Sequence, residues 1–82
     1  MNVNAIMNTI YNYTDNDLLI LAKQVLKLFV TGVSDEYPLR ELIDNYPMGA
    51  VMGTIAVPQY IMQECTNRWI AKIESEENNY EV

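Results

Sequence analysis

The sequence predicts an all-α domain, a small bundle of four to five short helices. Three observations carry that expectation. Apolar residues recur at helical spacing in four separate segments, Ser, Thr, Asp, Gly and Pro punctuate the gaps, and no stretch alternates as a half-buried strand does. Half of the 82 residues are apolar, enough to build a core, and the length is that of one domain, 1–82. A body this small buries only about 60% of what its unfolded chain exposes, so apolar side chains are left over for contact with another surface.

The first segment, Asn2 to about Asn12, places Val3, Ile6, Met7 and Ile10 at i, i+3, i+4 and i+7. Asparagines occupy the other face, and Asn2 is the expected N-cap. In the second segment Thr14 precedes Asp15 and Asp17, acids that suit the positive end of a helix dipole. Leu18 to Val30 is then almost continuously apolar, with Leu18, Leu21, Val25 and Leu28 on one face and Ala22, Leu26 and Phe29 broadening it. So wide an apolar arc predicts a central helix packed on more than one side, or one serving both core and interface. Gly32 is placed to end it.

A third helix is expected from Ser34 or Asp35, with Pro38 tolerated in its first turn and Leu39, Leu42, Ile43 and Tyr46 inward. Pro47 should end it by disfavouring helical geometry at Tyr46. Met48–Val57 reads either as a short helix or as an apolar loop, since Gly49 and Gly53 would each cost roughly 1 kcal/mol in a helix. Pro58 is expected to open a last helix reaching about Glu76, with Ile61, Met62, Cys65, Trp69 and Ile73 inward. Residues 75–82 read as a frayed acidic tail.

Charge narrows the functional classes. Five Lys and Arg against eleven Asp and Glu give a net charge of −6, and the cations lie in three separate elements. Direct nucleic-acid binding is disfavoured, because affinity for phosphate backbones comes from Lys and Arg displacing counterions. Anionic membrane surfaces are disfavoured likewise. A protein partner with a basic surface is favoured instead. The single cysteine allows no intrachain disulfide, and the start of the chain lacks a signal-peptide pattern, so the expected setting is cytoplasmic.

The candidate chemistry-bearing motifs fail individually. Without histidine the commonest general base and metal ligand is missing, and Cys65, on the expected inner face of the last helix, has no partner to activate it. Asp15-Asn16-Asp17 begins like a calcium loop, but Ile20 and Leu26 stand where the glycine and the glutamate belong. Gly49 and Gly53 have close-packing spacing, yet no lysine lies between Lys27 and Lys72 to support a phosphate loop. Leu39–Tyr46 and Ala50–Val57 have the lengths of a helix-turn-helix, but the second offers only Thr54 to a base edge. No catalytic residue, metal ligand or cofactor is therefore assigned.

What remains is the uncharged stretch Asn45–Gln63, too rich in Pro, Gly, Asn and Gln for a spanning helix. Tyrosine and methionine suit contact surfaces, the first for area with a polar handle and the second for adaptability. Tyr46, Met48, Val51, Met52, Ile55 and Tyr60 are accordingly the expected partner-binding residues. The expected function is a non-enzymatic, acidic protein-binding module, in its narrowest form an inhibitor of a host nucleic-acid-handling protein carried by a phage or mobile element. The alternatives are a homo-oligomeric assembly protein and a small-ligand binder using Tyr and Met between helices.

Overall fold

The computed structural model describes residues 2–80, with side chains described through Glu77. These residues form four helices and no strand: α1 (Val3–Tyr11), α2 (Asp15–Thr31), α3 (Leu39–Asp44) and α4 (Ala50–Tyr80). The all-α bundle expected from periodicity is what the chain adopts.

Local chemistry explains the first two helices. The Asn2 side chain accepts from the Ala5 amide at 2.8 Å, and Thr14 accepts from Asp17 at 3.1 Å, so each satisfies an amide that the helix cannot. At the far end of α2, Gly32 takes φ 73 and donates to the Leu28 carbonyl, a left-handed cap that a Cβ would disfavour. The inward faces are Ile6 and Ile10 from α1 and Leu18, Leu21, Val25 and Leu28 from α2. Met7, expected inward, lies exposed beside them.

α3 departs from expectation. It starts at Leu39 and not at Ser34 or Asp35, and Pro38 sits at its cap position without any side-chain acceptor for the first amides. The cap comes from another helix. Gln24, the buried polar residue of the core, donates from Nε2 to the Tyr37 carbonyl at 2.7 Å and accepts from the Leu39 amide at 3.0 Å. One amide side chain thus ties the incoming loop and the first turn of α3 to α2. Lys27 and Glu36 pair outside the same loop.

α4 differs most. The segment Met48–Val57 is neither a separate helix nor a loop: from Ala50 onward it is the start of a helix of 31 residues. Pro58 lies inside that helix and does not open it. Proline removes one ladder bond, to the Thr54 carbonyl, and crowds the preceding turn. Its ring is fully buried between Val57 and Ile61, both also buried, so apolar burial offsets that local cost. Gly49 provides the corner, with φ 95, its amide on the Tyr46 carbonyl and its own carbonyl accepting from Gly53. The tail expected to fray from residue 75 is helical as far as Tyr80, while residues 81 and 82 fall outside the described part.

α4 packs on all three other helices. At Gly53 it crosses the end of α3 so closely that an added Cβ would stand 2.5 Å from the Ile43 carbonyl oxygen and 2.9 Å from the Tyr46 Cβ. At its middle, Arg68 reaches the junction of α1 and α2, donating to Asp15 at 2.8 Å and the Tyr11 carbonyl at 3.0 Å while Glu64 steadies it at 2.7 Å.

Two substitutions test this account. Gly53→Ala should lower stability by about 1–3 kcal/mol, because the nearest obstructing atom, the Ile43 carbonyl oxygen, is backbone and cannot step aside; an unchanged urea midpoint would mean that α4 does not approach α3 this closely. Gln24→Leu should cost about 1–3 kcal/mol by leaving the Tyr37 carbonyl and Leu39 amide unpaired, read as a fall in thermal midpoint.

Candidate partner-docking face

The six residues expected to bind a partner separate into two groups. Tyr46 is only 8% exposed, packed in the core at the end of α3, and offers little surface. Tyr60 is half-buried against the same core. Met48, Val51, Met52 and Ile55 are exposed, the last three on the first turns of α4. Being helical, Val51 and Ile55 are held four residues apart on one face.

Continuity of the helix through Pro58 extends that face well beyond the predicted set. Val51, Ile55, Pro58, Met62, Cys65 and Trp69 follow a four-three-four-three-four spacing, the period of a coiled-coil seam. Pro58 and Cys65 form its inner edge, and Val51, Ile55 and Trp69 its outer one. Trp69, expected in the core, is 64% exposed. The physical reason is that α1 ends at Tyr11 and the chain turns back at Asp15, where Arg68 meets it, so nothing remains to cover the next turn of α4.

α2 carries a matching second stripe. Leu19, Ala22, Leu26 and Phe29 repeat the three-four-three spacing of its buried face, shifted by one residue. Of the two expectations for α2, packing on more than one side is not met within the chain, and a helix with one core face and one outward apolar face is what remains: Leu19, Leu26 and Phe29 are exposed, Phe29 at 66%. α2 and α4 run antiparallel, since Asp15 meets Arg68 at one end while Phe29 lies against Ile55 and Met62 at the other. Phe29 of the α2 stripe and Ile55, Pro58 and Met62 of the α4 stripe meet at one groove, of about 490 Å³, which Thr54 and Gln59 complete. The sequence places Ile55 on this groove and allows α2 an interface face, which Phe29 supplies, whereas Met62 and Trp69 were expected inward.

A second concavity, of about 220 Å³, lies between α1 and α4 and is bordered by Met7, Tyr11, Tyr60 and Glu64. It is the place where the small-ligand alternative would have to act, and its charged group is Glu64, already engaged by Arg68.

Burial pushes the Cys65 thiol up, against a smaller downward pull from Arg68, which leaves it a poor nucleophile at neutral pH. The Tyr46 hydroxyl is held above its ordinary value chiefly by the Tyr60 phenol beside it, then by desolvation. Tyr13 is raised by burial first, then by the charges of Glu41 and Asp17. Among the described residues no three Cys, Asp or Glu side chains gather as a metal site, and no helix is long and apolar enough to cross a membrane.

Comparison with protein-family models, curated proteins and solved structures finds no match.

The raised phenols have a signed consequence. In the unfolded chain Tyr13 and Tyr46 ionise at their ordinary value near 10, before the folded groups do. Their contribution to stability is thus complete below pH 10 and is lost as pH rises through the higher folded values. Urea denaturation at stepped alkaline pH should show this decline, and Tyr46→Phe should make it shallower; an identical slope in the variant would refute the assignment.

Proposed function

We propose that the protein is a non-enzymatic docking module whose contact surface is the outward face shared by α2 and α4. The observation that supports it is the pair of apolar seams meeting at one groove. Leu19, Leu26, Phe29, Val51, Ile55 and Trp69 leave on the order of 700 Å² of apolar surface uncovered.

Docking here works by desolvation with adaptable fit. Phe29 and Trp69 are the large anchors, Met62 can re-pack, and Pro58 keeps the groove floor rigid. The net charge of −6 would steer a heterologous partner of basic surface toward the module, and blockade of a nucleic-acid-handling protein is the narrower form of that reading. The absence of histidine and the raised Cys65 thiol favour a binding role over a catalytic one.

Ile55→Asp provides the test, because Ile55 is 56% exposed and outside the core. Helicity and thermal midpoint should stay near wild type while association with any polypeptide partner falls at least roughly thirtyfold, the scale of one lost hot spot. Unaltered association would remove this face from the function, and unfolding would return Ile55 to the core.

A further inference from the structure

We infer that the occupant of the α2–α4 groove is α4 of a second copy of this chain, lying antiparallel so that Trp69 of each copy enters the groove of the other. This rests on the docking reading above and names its partner.

The chain itself holds a segment of the required shape. The α4 helix is about 46 Å long at 1.5 Å per residue, close to the 50 Å longest dimension of the molecule, and its second half outruns the helices that pack on its first. That half carries Trp69 and Ile73 on the same seam as Ile55 and Met62. One copy therefore offers a groove without an occupant and an apolar helix without a bed. A two-fold arrangement satisfies both at once, and its closed symmetry stops the assembly at two.

Area agrees with this. About 700 Å² of apolar surface per copy approaches the roughly 800 Å² per partner of a standard stable interface. Charge selects the direction. Glu74, Glu76 and Glu77 follow Trp69 along α4, so parallel helices would set the acids of both copies side by side. Antiparallel helices separate the two acidic ends and lay each over the end of the partner groove formed by Phe29 and Ile55. The occupied groove would also cover Leu26 and Phe29, the part of α2 that its own chain leaves bare.

Trp69 is the single tryptophan, so its emission reports the contact directly. Light scattering and fluorescence of the full chain, from low micromolar to millimolar, should show the mass doubling and the emission shifting to shorter wavelength over the same range. Trp69→Ala and Ile55→Asp should each raise the dissociation constant of the dimer at least roughly thirtyfold with helicity retained. A nitroxide at Met52→Cys, in a Cys65→Ser background, should give a separation on the order of 35 Å for antiparallel helices, against on the order of 10 Å for parallel ones. The short distance overturns the arrangement. A chain that stays monomeric, yet loses a heterologous partner on Ile55→Asp, overturns the second copy and keeps the docking reading. A dimer indifferent to Phe29→Asp, Ile55→Asp and Trp69→Ala overturns both.

Discussion

The way α4 seats on the rest of the molecule depends on the missing side chain at Gly53. Where α4 crosses the end of α3, the Ile43 carbonyl and the Tyr46 Cβ occupy the space that a Cβ would need. The crossing fixes which side of α4 faces inward: Gly53, Val57 and Ile61 point to the core, and Val51, Ile55 and Trp69 are turned away from it. Gly49 complements it by turning the chain with a positive φ, so that α4 leaves α3 in the required direction. Two glycines that cost helix propensity are placed where backbone approach and backbone reversal require them.

A second layer of constraint is polar and long-range. Arg68 joins α4 to the turn between α1 and α2, and Gln24 joins α2 to the loop before α3. Gln24 matters more per bond, since its partners are main-chain groups withdrawn from water, whereas Asp15 is almost fully solvated and its ion pair correspondingly screened. Arg68 pins the start of α2 to the middle of α4, which leaves the two helices antiparallel. That order brings Phe29 of α2 beside Ile55, Pro58 and Met62 of α4 at a single groove.

Much of the bundle was legible because its signals are local. Asn2 and Thr14 cap the helices they precede, Gly32 ends α2, and Leu18, Leu21, Val25 and Leu28 form one of the two α2 faces that period alone allows. The less legible parts share a cause. Pro58 is a strong local signal for a helix start, but its environment is a packed interior in which burial of three consecutive helical turns outweighs one lost hydrogen bond. The first residues of α3 lack a local cap because the cap is supplied by Gln24, fifteen residues before the amide it accepts from. Of the expected contact residues, Val51 and Ile55 share the groove-bordering stripe, while Tyr46 belongs to the core.

The sequence by itself determined the class, the capped starts of α1 and α2, the acidic surface and the excess of apolar side chains over what so short a chain can bury. Only the tertiary structure decided where that excess lies. α2 carries two stripes of equal period, one residue apart, and nothing in periodicity ranks Leu18–Leu28 above Leu19–Phe29. The choice is made by what the other helices can reach: α1 and α3 are short, α4 is held close to α3 at Gly53, and the stripe beyond their reach stays bare. Trp69 is exposed for the same reason, because its place along α4 lies past the last helix able to cover it.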